Sequence, residues 1–429
     1  MNLKVSKKDF IWNMIGSTTY SFVSMFLSLI IINLTDPSMG GIFSFGYTAL
    51  AQTIFTISYF GARSYHIADV QYIFDYTIYK VQRYITCIFA IIIGFVYVFS
   101  LYITRVYDIN KMIILCLLVV CGMLDGFFDV YECELQRISR LYLAGIGLFL
   151  RTAIFSLILV LLVFITHNMI LSLIIALIFK FTSGYIFEIQ TLNRELNKIS
   201  YVTSSIDTNK IVELTIVLLP MFLSTLMDIF MHSGQKFAID IYIDDYHSGL
   251  FNILFMPSNI IYLMASFIMR PLVTNLAKLF EDNKKDYYKK TSKIMFVGSI
   301  LTVLVLGISI LVFIKIYTYI ITIITKDAYG TDLYSINARV MFFLIMLGSC
   351  FYALSTPLFY FIVIEKRLKQ LVLCYILATA ISLLLNFILI SRFGFFYSSV
   401  SYCLSMFIWY LIIGFCFIYG KVKCLNTKF

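Results

Sequence analysis

Charge is what this sequence has least of. Asp, Glu, Lys and Arg make up 13% of its 429 residues, about half the share of a soluble domain. A chain this poor in charge cannot cover itself with polar surface, which excludes an ordinary soluble protein and makes lipid its solvent. Proline is also scarce, five in all, so little interrupts long helices. The nine cysteines show no CxxC or Cys/His spacing. That argues against a bound metal, and they read as small hydrophobes in a reducing compartment. No GxxxxGK[ST] run occurs, so ATP hydrolysis by this chain is not expected. The longest polar segments, near 192–210 and 274–293, hold only about 20 residues each, short for a catalytic domain. The chain is therefore read as no enzyme, with no cofactor.

What is present is apolar sequence, with 41 Phe, 31 Tyr and a mean hydropathy of +0.92. A spanning helix needs about 20 apolar residues. Twelve such runs lie near 11–34, 41–61, 84–104, 111–131, 142–165, 169–190, 211–235, 248–269, 294–314, 337–363, 370–391 and 395–419. The second and seventh are the most polar. The run 294–324 fits a single tilted helix with an interfacial tail, and the basic run 278–293 reads as a solvated loop. The N-terminus is basic and leads into an apolar run without a small-residue cleavage site, which predicts a retained first helix.

Lys and Arg set the orientation. With both termini in the cytoplasm, the outer segments hold only Arg105, Lys111, Lys236, Lys315, Lys326, Arg339 and Arg392. The remaining excess faces inward, with Arg151 and Lys180 inside spans. That excess explains the net charge of +10: it meets anionic lipid headgroups, and no nucleic acid is expected as a partner.

The fold class expected is an all-α polytopic membrane protein, twelve transmembrane helices in two six-helix bundles around a central cavity. The bundles are residues 1–200 and 205–429. Six spans each make a parallel repeat. A weak echo supports it: 41–63 and 249–270 each begin Gly-apolar-Phe and end in Arg, at Arg63 and Arg270.

Charges inside spans are costly and mark cavities or partners. They are Asp125 and Asp129, Arg151, Lys180 and Glu188, then Asp228, His232 and Lys236, with Asp240 beyond. Four residues of helix turn through about 400°, so the row 228, 232, 236, 240 drifts only ~40° per step and stays on one face. That stripe predicts a water-filled cavity widening outward. Blander readings stand beside these. Asp125, Arg151 and Lys180 suit a structural ion-pair set, Glu188 suits snorkelling, and Lys236 and Asp240 suit outer solvent. Arg63 and Arg270 suit positive-inside anchors, or a pair of guanidinium groups clamping a pyrophosphate. Pro220 and Pro357 permit bends within their spans. Tyr47, Tyr59 and Tyr262 suit packing or sugar stacking.

The segment 234–280 carries Lys236, Ile239-Asp240, Gly249-Leu250-Phe251, Met256-Pro257 and Arg270-Pro271. This run resembles the start of the second half of Wzx-type polysaccharide and O-antigen flippases, and the N-terminal WNMIGSTTYSFVSMFLSLII and FGARSYHIADVQYIFDYTIYKVQRYIT are similar to that family too. The resemblance implies the multidrug/oligosaccharidyl-lipid/polysaccharide exporter superfamily, in the bacterial inner membrane. It implies alternating access that moves an undecaprenyl-pyrophosphate-linked oligosaccharide to the outer leaflet. Membrane lipids and other polysaccharide assembly proteins are the implied partners. A cationic cavity is implied as well, with Arg63, Arg151, Lys180, Lys236 and Arg270 as the substrate-binding candidates. No sugar signature is legible. Asp125, Asp129 and Asp228 are the candidates for coupling to a proton or a sodium ion, since desolvation favours the neutral or ion-bound carboxyl. The same acids would serve a multidrug cation exporter of the superfamily. A membrane polymerase or glycosyltransferase would need a large outer loop.

Overall fold

Helix ends in this chain are written by capping side chains. Asp36 accepts from the Met39 amide, Asp108 from Lys111, Asn168 from Leu171, Asp244 from His247 and Ser335 from Ala338. Each satisfies an amide that the first helical turn leaves open. The computed structural model describes residues 7–69, 73–198, 207–312, 317–319 and 329–426. Among these every regular element is helical.

The chain divides into two compact units, Met1–Leu226 and Met227–Phe429. The first contains α1 (Lys7–Leu34), α2 (Pro37–Phe45), a π-turn (Gly46–Leu50), α3 (Ala51–Tyr59), α4 (Ala62–Ala68), α5 (Tyr76–Ile103), α6 (Ile109–Arg137), α7 (Leu141–Thr166), α8 (Met169–Gly184), a second π-turn (Tyr185–Ile189) and α9 (Gln190–Lys198). The division falls inside α10 (Thr208–Tyr242), beyond the boundary at 200–205 that the sequence suggests. The early part of α10 belongs with the first unit because Phe222 stacks on Phe60, ring centroids 4.1 Å apart. The second unit continues with α11 (Asp245–Asp282), α12 (Lys284–Val312), the short α13 (Gly330–Leu333), α14 (Ile336–Ile364), α15 (Leu368–Phe393) and α16 (Tyr397–Asn426).

Among the described residues ten helices are long and apolar enough to cross a membrane. Their outer faces are apolar: Ile85, Ile88, Ile92 and Val96 form an exposed stripe along α5, tolerable only against lipid. Helices correspond to all twelve expected runs, though two of them, the second run and α11, fall outside the ten. The second is continuous from Pro37 to Tyr59 but widened by the π-turn at Gly46–Leu50. The left-handed Phe60 (φ 53°) and Gly61 (φ 67°) then turn the chain into α4, which carries Arg63. The echo at 249–270 lies in the uninterrupted α11, so the two repeats differ in backbone.

The basic run 278–293 is not a loop. Lysine is a good helix former, and α11 and α12 meet at one extended residue, Asn283 (φ −149°, ψ 97°). Its Oδ1 accepts from the Lys285 amide at 3.0 Å and starts α12. Helix α12 is described as far as Val312; of the tail to 324, residues 313–316 and 320–324 lie outside the described residues.

In the first unit α6 is the hub, packed on α3, α5, α7 and α8, with α1 on α7. Lipid gives helices no hydrophobic drive to associate, so small residues allow close approach instead. Gly122 and Gly126 do this on α6: a Cβ on the first would strike the Ala51 carbonyl and on the second the Ser58 side chain. In the second unit α14 is the hub, packed on α11, α12 and α16.

Candidate functional site

The C-terminal half of α6 carries Asp125, Asp129 and Glu132, spaced four and three apart and so on one face. Around it four cations converge from four other elements. Arg63 (α4) places Nη1 2.5 Å from Asp129 and 3.2 Å from Glu132. Arg83 (α5) reaches Asp129 at 3.1 Å and donates to the Gly126 carbonyl. Arg151 (α7) sits 2.8 Å from Glu132, 3.1 Å from Glu188 and 3.5 Å from Asp125. Lys180 (α8) meets Asp125 at 2.9 Å and the Cys121 carbonyl at 3.2 Å.

Four cations thus face four carboxylates, a neutral set. Neutrality is what allows it to be buried, since an uncompensated ion in a low-dielectric interior costs several kcal/mol. Aromatic rings add to it: Arg151 lies 5.0 Å from the Phe128 centroid and Lys180 4.8 Å from that of Phe155. Only Arg63 keeps much solvent access, with 35% of its side chain exposed.

A second buried cluster adjoins the end of α6. His66 Nε2 lies 2.8 Å from Glu134, and Arg137 Nε 2.9 Å from the same carboxylate. Asp69 accepts from the amides of Ile73 and Phe74 and from the Tyr79 hydroxyl.

In the second unit the striped face of α10 turns inward. Asp228 accepts from the Tyr352 hydroxyl (α14) at 2.7 Å and from Tyr375 (α15). The His232 ring lies among Phe255, Tyr352 and Tyr402, centroids 5.1–5.9 Å away. Lys236 Nζ stands 4.9 Å from the Phe255 ring. Lys236 and Asp240 are buried.

Several expectations therefore change. Arg63, Arg151, Lys180, Asp125 and Asp129 do come together, but as partners of one another rather than as a bare cationic lining. Glu188 does not snorkel; it is wholly buried, held against Arg151. Lys236 and Asp240 are buried rather than standing in outer solvent, and Asp228, His232 and Lys236 meet side chains of the second unit's own helices. Tyr47 is packed, stacked on Phe43 at 5.4 Å. The backbone of Arg270 lies in α11, while its side chain and that of Tyr262 lie outside the described residues.

The sequence reading missed Arg83, Glu132 and the His66–Glu134 cluster. Glu132 was detectable, seven residues after Asp125 and three after Asp129. Arg83 lies just outside the apolar run 84–104, and α5 takes it in by starting at Tyr76, eight residues before that run. Among the described residues no group of His, Cys, Asp and Glu is arranged to hold a metal ion.

No family model matches the sequence, and no curated protein matches it. Solved structures do resemble the fold. The lipid II flippase MurJ in an inward closed conformation is similar over 94% of this chain and 87% of that one, at 12% identity and a TM-score of 0.66. An inward-facing multidrug resistance MATE family transporter of the MOP superfamily is similar over 97% and 95%, at 11% identity and 0.57. A eukaryotic MATE transporter is similar over 96% and 92%, at 13% identity and 0.58. The chain is a multi-pass membrane protein that shares its fold with transporters of the MOP superfamily.

Proposed function

We propose that the chain is a flippase. It carries an undecaprenyl-pyrophosphate-linked oligosaccharide from the cytoplasmic to the outer leaflet of the bacterial inner membrane by alternating access, with both termini cytoplasmic. A hydrophilic glycan on a pyrophosphate cannot cross hydrocarbon unaided, because each unpaired polar group costs several kcal/mol.

The observation that carries this reading is Arg63. It is the accessible edge of an otherwise sealed network, a guanidinium shared between Asp129 and Glu132 with a third of its side chain still exposed. A pyrophosphate can exchange for one of those carboxylates and take the guanidinium bidentately. Arg151 and Lys180 then hold the acids in place rather than touch the substrate. Arg270 is the candidate contact in the second unit, whereas Lys236, buried beside Phe255, is withdrawn from the substrate-binding set. The likeness to a lipid II flippase supports a lipid-linked substrate.

Coupling to a proton or sodium gradient is assigned to Asp228. Asp125 and Asp129 already face cations, whereas the carboxylate of Asp228 meets phenol hydroxyls and, among the described residues, no ion-pair partner. The same carboxylate favours a second reading, a multidrug cation exporter, which the MATE likeness also supports.

The test is transfer of a labelled undecaprenyl-pyrophosphate oligosaccharide in liposomes, with and without an imposed proton or sodium gradient. Faster transfer with protein, and faster again with a gradient, supports the flippase. No transfer of any such lipid, with gradient-driven efflux of an organic cation in the same vesicles, selects the exporter.

A further inference from the structure

The second unit holds an apolar groove of about 480 Å³ between α11, α12 and α14. Such a volume falls in the range of small-molecule sites, roughly 300–1,000 Å³. Helix α11 contributes Ile268 and Leu272, and α12 contributes Val297 and Leu301. On α12 the lining positions recur every three or four residues and so form one face. Toward the α11–α12 turn that face ends in Lys290 and Lys293, which also line the groove. Both are exposed, and neither has an ion-pair partner among the described residues. Their neighbours Lys284, Lys285 and Lys289 are of the same sign, while Asp286 is bonded to Asn283.

The groove is therefore amphipathic along its length, apolar in the body and cationic at one end. That is the polarity of a single anionic lipid molecule, with a chain beside α12 and a phosphate at the lysines. We propose that this groove is a binding site for an anionic glycerophospholipid of the surrounding bilayer, its phosphodiester held by Lys290 and Lys293 and its acyl chain lying along Ile268, Leu272, Val297 and Leu301. Charge complementarity selects the occupant. A zwitterionic lipid would fill the body equally but cancel its own attraction to the lysines. Basic pockets between transmembrane helices hold anionic headgroups in this manner, each lysine contributing about a five-fold gain in binding. A bilayer lipid is favoured over the transported lipid because α12 is lipid-facing: Phe296, Val303 and Leu311 on its other faces are exposed. The site is independent of what the chain transports.

The test is native mass spectrometry of the purified full chain titrated with phosphatidylglycerol or with phosphatidylcholine of the same acyl chains. The wild type is expected to retain phosphatidylglycerol preferentially. Lys290→Ala/Lys293→Ala should lower its affinity about 30-fold and remove the preference. Gly298→Leu, which places a side chain in the groove next to Leu354, should lower binding of both lipids with the lysines intact. Lys284→Ala/Lys285→Ala, an equal loss of charge off the groove, should change little. Equal retention of the two lipids by the wild type overturns the proposal, as does an equal loss in both lysine pairs. Unchanged binding in Gly298→Leu overturns the groove as the seat of the chain. Displacement of phosphatidylglycerol by undecaprenyl phosphate at matched concentration would give the groove to the transported lipid instead.

Discussion

Arg151 makes three of the contacts that let the first unit bury acids. Its guanidinium faces Glu188, Glu132 and Asp125 at 2.8–3.5 Å, and both it and Glu188 are sealed from solvent. Arg151→Met should leave Glu188 buried without its cation, a loss on the order of 3–5 kcal/mol. Thermal unfolding in detergent checks this, and Arg151→Met/Glu188→Gln should recover part of the loss. A double variant no more stable than the single one would show that the pair is not what Arg151 supports. Asp228 predicts differently, because its partners are hydroxyls that an amide can also accept from. Asp228→Asn should fold normally and keep passive transport while losing its acceleration by an ion gradient. A full gradient response in that variant would exclude Asp228 from coupling.

At the scale of elements, packing rests on small residues placed one helical turn apart. Gly122 and Gly126 bring α6 onto α3 so closely that no Cβ fits at either position. Gly126→Leu should destabilise the first unit by about 1–3 kcal/mol, the usual cost of overpacking. Gly307→Leu serves as the control, since nothing lies within 4 Å of its would-be Cβ. Its melting temperature should match the wild type. The helices themselves were legible in the sequence from apolar length and from caps such as Asp108 and Ser335. The break after Tyr59 was not, because it depends on two left-handed residues, one of them Phe60. A phenylalanine is not a turn signal; its conformation is held by stacking on Phe222, 162 positions later in the sequence and 4.1 Å away in space.

At the scale of the whole molecule the transport reading makes one demand. Arg63 and Arg270 occupy matching places in the sequence echo, and the proposed transport uses both. Arg63→Gln/Arg270→Gln should abolish glycan export in cells while leaving the level of folded protein unchanged. Export at the wild-type rate would remove the pair from the mechanism. Arg63 is a fair subject for such a test because it is the exposed edge of its network; replacing Arg151 instead would confound transport with folding.

The sequence by itself determined the solvent, the helical class and the list of costly charges, because hydropathy, capping and apolar length are local properties carried by neighbouring residues. It also placed Asp228, His232, Lys236 and Asp240 on one face, since helical periodicity needs no tertiary information. Only the tertiary structure decided where that face points and which cation answers which acid. Helix rotation is set by how side chains and glycines of separate helices interlock, and the partners of Asp129 come from positions 63 and 83 while those of Glu132 come from 63 and 151. No spacing rule links such positions. They meet because a buried ion is stable only beside its counter-ion, and that condition is satisfied by the packed bundle as a whole.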